Sequence, residues 1–317
     1  MEKKSIYSNK IVFVLLALCA TALWGTAFPG IKKGYEWFGI DDTGSVILFA
    51  GLRFFIAGVI VLAVYAVKNK KLPALKKSEI KTILVLSFLQ VAGNYFFYYL
   101  GLAKTPGSIA SVLNSFDSFA IVLVASRFFK NDKLTARKII GCVIGIAGII
   151  IINFRGGENF AFRLTGEGFL LISALFSTLA MIVIKKATET IDPVITTGYY
   201  LLIGGTALIA VALLLGGKIS FSSVKADACL LYLALVSALA FMIWTTLLKH
   251  NDASRLGGFK LMTPIFGNAF SAIILHENIF TPAHLLSVLL VAAGIATVNT
   301  EGGLHNKVGS HGADKTD

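Results

Sequence analysis

The chain has 317 residues, of which 56% are hydrophobic and 15% charged, with a mean hydropathy of +0.78. A soluble domain of this length needs charge over most of its surface, so this balance excludes one and points to helices solvated by lipid. The formal charge of +12 resides in short loops between apolar runs, where basic residues orient a membrane protein, and nucleic acid is excluded as a partner.

Bilayer hydrocarbon requires about 20 apolar residues per helix, and on that ruler the spans fall into two sets of five. The first span, 11–31, offers Trp24 beside Gly25 and carries Pro29, which loosens backbone where a helix moves. No small-residue cleavage site follows a short apolar core, so this span reads as retained rather than as a signal peptide. The second span, 44–67, contains Arg53. The third, 80–103, sets Gln90, Asn94, Phe97, Tyr98 and Gly101 on one face. In the fourth, 107–126, Ser108, Ser111, Asn114, Ser115 and Ser118 fall within about 120° of arc, with Asp117 at the edge. Such a stripe is either a wet cavity wall or a helix–helix seam. The fifth, 136–154, spaces Gly141, Gly145 and Gly148 for close helix approach, between halves of the chain or between two copies of it.

The sixth span, 165–187, presents Ser173 and Ser177, and the seventh occupies 193–215. The eighth, 227–248, offers Ser237, Phe241 and Trp244. In the ninth, 254–275, Lys260, Thr263, Pro264, Gly267 and Ser271 share a face. The tenth covers 282–300, and the polar tail 301–317 is expected to be disordered and cytoplasmic. Cys19, Cys142 and Cys229 all lie in apolar segments and no CxxC occurs, which speaks for packing and against a disulfide framework, a metal or any other cofactor.

Two features organise these spans. Twenty of the 29 Lys and Arg residues fall on one side, span ends included, and seven on the other, while Arg53 and Lys260 remain inside spans. That asymmetry predicts both termini in the cytoplasm and an even number of spans. The halves also repeat. At an offset of 146, Thr135 meets Thr281, Gly148 meets Gly294, Asn153 meets Asn299, Tyr95 meets Phe241 and Tyr98 meets Trp244, while Lys260 aligns with Asn114. Five spans per half is an odd number, so the copies are expected to lie in opposite orientations, as in transporters that alternate access around a midplane site.

With Ala22-Leu23-Trp24-Gly25-Thr26, Leu52-Arg53-Phe54-Phe55-Ile56-Ala57, Gly198-Tyr199-Tyr200 through Gly205, Thr263-Pro264-Ile265-Phe266 and Ala292-Ala293-Gly294, the chain resembles the drug/metabolite transporter superfamily, specifically its proteins with two EamA-type repeats. The resemblance implies an all-α integral membrane fold of ten transmembrane helices in two inverted five-helix repeats, 11–154 and 165–300. It further implies a cavity lined by the first, third, fourth, sixth, eighth and ninth helices, and export or exchange of small metabolites including amino acids. The fourth span departs from the family, reading Asn114-Ser115-Phe116-Asp117-Ser118 where many relatives are apolar or carry proline.

A mid-bilayer charge costs about 2.5–3.5 kcal/mol on insertion scales, so Asp117 requires a compensating partner. Arg53 and Lys260 are the candidates, as a coupling or ion pair. Arg53 has a structural role as its alternative, and Lys260 could instead snorkel from its place near the span end. The candidate substrate residues are Trp24, Asn94, Tyr98, Asn114, Asp117, Ser177, Phe241, Trp244 and Lys260. Aromatic walls with polar tips suit an amphipathic organic solute, the alternative being helix packing. The function expected is secondary transport of small metabolites, amino acids or similar solutes, in the outward direction and without ATP, since no GxxxxGK[ST] loop is present. The location expected is the plasma membrane, of the bacterial inner-membrane type, with protons and a second copy of the chain as further candidate partners. An intramembrane enzyme would need clustered nucleophile, base or metal ligands, and His250, His276 and His284 sit near loops or ends. A receptor or scaffold would need larger loops.

Overall fold

The computed structural model describes residues 5–102, 104–105, 113, 116–153, 163–275 and 282–299. Among these residues there are no strands, and the helices form a ten-helix bundle. In chain order they are α1 (Lys10–Phe38), α2 (Thr43–Asn69), α3 (Lys77–Leu102), α4 (Phe116–Phe128), α5 (Ala136–Asn153), α6 (Leu164–Ala187), α7 (Pro193–Leu214), α8 (Val224–His250), α9 in two pieces (Ala253–Phe259 and Met262–Leu275) and α10 (Pro282–Asn299). Six of them, α1, α2, α3, α6, α7 and α8, are long and apolar enough to cross a membrane in their described length alone. The expected serine stripe from Ser108 to Ser115, Asn114 included, and the tail 301–317 lie outside the described residues.

Local chemistry sets the helix ends. Asn9 caps α1, its Oδ1 accepting from Ile11 N at 2.9 Å and Val12 N at 3.4 Å. The helix then runs through Lys32 and Lys33, seven residues past the expected boundary at 31, and stops at Gly39. There φ is +63°, Ile40 N donates to Tyr35 O and Gly39 N to Glu36 O, a Schellman ending that a glycine accommodates without strain. The lysines do not end the helix because charge at a membrane surface is no obstacle to helical backbone. Asp42 caps α2 through Ser45 N at 2.9 Å, and Asp192 caps α7 through Val194 N at 2.8 Å with Pro193 in the first turn.

The packing obeys an exchange rule. Helix α2 lies along α7 and α5 along α10; α1 packs on α8 and on α9, and correspondingly α6 packs on α3 and on α4; α2 meets α8 as α7 meets α3. Replacing each helix in these pairs by the one five places away turns one pair into another, so the halves are related by a pseudo-two-fold axis. Because five spans reverse the chain direction, the repeats are inverted.

Glycines make the seams on that axis. A Cβ on Gly58 would lie 2.4 Å from Leu202 N, and one on Gly205 2.4 Å from Phe55 N, so α2 and α7 touch backbone to backbone. At the other seam a Cβ on Gly294 would lie 2.5 Å from Gly141 O, and one on Gly148 2.9 Å from Ser287 O. The expected small face of α5 therefore joins the two halves. Lipid tails give apolar helices no hydrophobic reason to associate, and this close approach supplies the dispersion contacts that hold them.

Three helices are irregular, and α6 opens with a π-turn at Leu164–Gly168. Residues Ser87–Ala92 of α3 form a π-turn, a widening that often marks a functional position. Helix α9 breaks at Lys260 and Leu261. Pro264 cannot donate to the Lys260 carbonyl, which accepts from Thr263 N at 2.9 Å instead, and the helix restarts from there.

Candidate functional site

The break in α9 sets Lys260 against α4 and α6. Its Nζ lies 2.6 Å from Asp117 Oδ2 and 2.8 Å from Ser177 Oγ, while the Ser177 hydroxyl donates to the same carboxylate oxygen at 3.0 Å. Side-chain exposure is 18% for Lys260 and 8% for Asp117, so the two charges are largely withdrawn from water and depend on each other. Lys260 does not snorkel. The other carboxylate oxygen, Oδ1, receives only a long 3.4 Å bond from Ser118 among the described residues, which leaves it capacity to take a proton or a cationic group.

A second polar contact lies one helical turn along α6. Ser173 Oγ donates to Asn94 Oδ1 at 2.6 Å, and Asn94 Nδ2 donates to Gln90 O, in the π-turn of α3, at 3.3 Å. Ser173 and Ser177 share a face of α6 by their spacing of four. That face thus carries a buried polar track from α3 to the ion pair.

Aromatic rings form the adjoining wall. Trp24 packs 4.9 Å from Trp244 and 5.3 Å from Phe241, centroid to centroid. Phe241 meets Phe54 at 6.2 Å, Phe54 meets Tyr95 at 4.4 Å, and Tyr95 meets Tyr98 at 6.2 Å. Phe241 and Trp244 are buried, whereas Trp24 and Tyr98 keep partial exposure inside the bundle. The Trp24 indole nitrogen is buried without a hydrogen-bond partner among the described residues.

Arg53 takes a different place from Asp117. Its Nε donates to Ser237 Oγ at 2.7 Å and to Leu233 O at 3.2 Å, so it ties α2 to α8. Asp117 therefore pairs with Lys260, and the Arg53 alternative is not realised.

One end of the bundle is latched. Asp132, in the α4–α5 connection, accepts from Lys138 Nζ at 2.7 Å, from Ser254 N at 3.0 Å and from the Ser254 hydroxyl at the start of α9. Lys185 at the end of α6 donates to Leu248 O at 3.1 Å and to Asn251 O. Asn251 Nδ2 in turn donates to Tyr7 O at 3.0 Å, and the Tyr7 ring stacks on His250. Burial, with Asp132 beside it, raises the Asp252 carboxyl above its usual range, opposed by Lys185, Arg255 and Lys138. A raised acid favours the folded, protonated form. Its stabilising contribution is complete below the unfolded value of about 3.9 and is lost as pH rises through the raised folded value. Asp252→Asn is expected to flatten this part of the melting temperature against pH; an unchanged profile would remove Asp252 from the latch.

The bundle thus brings together Trp24, Phe241 and Trp244 as one cluster, Asp117, Ser177 and Lys260 as a second, and Asn94 beside Ser173, with Tyr98 joined to the first cluster through Tyr95. These residues come from α1, α3, α4, α6, α8 and α9. Sequence reading missed Phe54 as the link in the wall, and it missed the Asp132 latch. Phe54 was signalled by its place beside Arg53 in the Leu52–Ala57 motif; Asp132 carried no signal, being one charge in a charged loop.

Comparison with known proteins gives the same outline. The EamA-like transporter family matches residues 11–154 and again 164–300. The uncharacterized transporter YoaV of Bacillus subtilis is 27% identical over 90% of this chain and 96% of its own length. A probable amino-acid metabolite efflux pump of Escherichia coli is 26% identical over 89% of this chain and 92% of its own. A solved crystal structure, 17% identical, superposes with a TM-score of 0.76 over 94% of this chain and the whole of that one, a likeness of fold alone.

Proposed function

The chain belongs to the EamA-like transporter family, and from that premise we propose that it exports small amphipathic metabolites of the amino-acid class by alternating access around Asp117, Ser177 and Lys260. It is a metabolite transporter of the membrane and not an enzyme. The relative named as an amino-acid metabolite efflux pump supports both the solute class and the outward direction.

The observation that carries the mechanism is the Asp117–Lys260 pair. It joins α4 to α9, helices that exchange under the pseudo-two-fold, at a break in the second of them. Inverted repeats around a discontinuous helix are the architecture in which one half rocks against the other about a fixed site. A solute ammonium or a proton arriving at Oδ1 weakens the hold of Asp117 on Lys260, which loosens the contact between halves. The charge asymmetry of the loops supports cytoplasmic termini in the plasma membrane. With that orientation the end latched by Asp132 and Lys185 is the cytoplasmic gate, closed in this conformer. The five-helix units 11–154 and 165–300 are the bodies that move.

The test is efflux from proteoliposomes loaded with mixed amino acids and related metabolites, followed by mass spectrometry of the outer solution. Wild-type protein is expected to release a selected subset. Asp117→Asn, folded as judged by its melting temperature, is expected to release it at least about tenfold more slowly, as for loss of an interaction that acts only during turnover. Unchanged efflux in the variant removes Asp117 from the pathway, and no efflux under a proton gradient of either sign overturns the export reading.

A further inference from the structure

Arg53 is 3% exposed in the middle of α2, yet among the described residues no carboxylate pairs with it. The three described ion pairs are Lys33–Glu36, Lys138–Asp132 and Lys260–Asp117. Burial of a lone cation costs several kcal/mol, and neutral oxygens recover only part of that. The helix α8 partners, Ser237 and Leu233, both bind at Nε. The guanidinium lies 5.3 Å from the Phe54 ring and also meets the Tyr99 hydroxyl, and its charge is felt at the hydroxyls of Tyr35, Tyr95 and Tyr98. The Tyr35 hydroxyl, whose polar neighbour is the Tyr99 hydroxyl, is buried without a hydrogen bond of normal geometry, so its proton is available to a stronger acceptor.

We infer that Arg53 and the Tyr35 hydroxyl form a carboxylate subsite for the transported solute. The inference rests on the transport reading above and narrows its solute class to carboxylates. A planar guanidinium held at Nε keeps its Nη nitrogens for a carboxylate, which takes two parallel N–H donors and leaves a lone pair for a tyrosine O–H. Buried Phe54 leads from Arg53 to the partly exposed Tyr95, the ring left to meet the apolar body of the same solute. Asp117 is already neutralised by Lys260, which leaves Arg53 as the buried charge that an incoming anion compensates.

The experiment loads proteoliposomes with equal concentrations of amino acids and their carboxamides and reads the efflux ratio of each acid to its amide. The pair differs in the carboxylate alone. Wild-type protein is expected to favour the acid by about tenfold or more, the discrimination a buried polar partner supplies when one hydrogen-bonding group is missing. Arg53→Gln is expected to bring the ratio near one, and Arg53→Lys to retain part of the preference. Because Arg53 also ties α2 to α8, Tyr35→Phe provides a test that leaves that tie intact. It is expected to raise the half-saturating concentration for the acid several-fold and leave the amide unchanged. Equal efflux of acid and amide from wild-type protein overturns the subsite. So does a wild-type ratio that persists in folded Arg53→Gln, or in Tyr35→Phe if the glutamine variant does not fold. If neither acid nor amide leaves wild-type liposomes, the transport reading itself fails, and the subsite fails with it.

Discussion

Replacement of Lys260 by methionine is expected to cost about 3–5 kcal/mol of stability and to abolish transport, because it leaves the buried Asp117 without its partner. The two charges sit 2.6 Å apart with little water around them, and Ser177 alone cannot neutralise a carboxylate. Partial exposure of the lysine places the stability cost toward the lower end of that range. The double variant Asp117→Asn/Lys260→Met separates the two effects. With neither charge left, the melting temperature is expected to return most of the way to wild type, since removing both ions of a buried pair is often close to neutral. Transport is expected to stay absent, since the exchangeable contact between α4 and α9 is gone. Melting curves and efflux measured on the same preparations check both statements. Transport by the double variant would show that the pair only holds the bundle together.

The second large effect is expected at the α2–α7 seam. Gly205→Val places a branched side chain where even a Cβ would lie 2.4 Å from the Phe55 amide nitrogen and 2.9 Å from the Gly51 carbonyl oxygen. Both atoms are backbone, so no side chain can turn aside, and the helices must separate. Overpacking in a well-packed core costs about 1–3 kcal/mol where neighbours can shift, and this contact leaves them nothing to shift. The expected result is loss of folded protein from detergent extracts, read by size-exclusion chromatography. Gly216→Ala, at a glycine of the α7–α8 turn with open space around its Cβ position, is the contrast. There φ is +79°, so the cost is local backbone strain, and a folded but less stable protein is expected. A normal elution profile for Gly205→Val would mean that α2 and α7 do not pack as closely as described.

Much of the architecture was legible from one-dimensional pattern. Span length follows from bilayer thickness, and the inverted repeat follows from similarity at a nearly constant offset together with an odd number of spans per half. The helix ends were less legible. Helix α1 passes two lysines and stops at Gly39, because backbone conformation ends a helix and hydropathy ends only the lipid-solvated part of it. The candidate site was legible by helix and by residue type, but its partnerships were not. Asp117 had two possible cations, Arg53 and Lys260, and nothing in the spacing distinguishes them.

The sequence by itself determined the solvent of this protein, the number of its spans, the inverted relation of its halves and the polar residues that had to find partners inside the bundle. These properties depend on composition, period and offset, all of which run along the chain. Tertiary structure alone decided that Lys260 reaches Asp117 and Ser177, that Arg53 binds Ser237 and Leu233 on α8, and that Asp132 latches one end of the bundle. The physical reason is that a partnership between buried charges depends on the rotation and depth of each helix to within an ångström or two. Glycine contacts such as Gly58 on Leu202 and Gly141 on Gly294 set those two quantities, and they join residues more than a hundred positions apart.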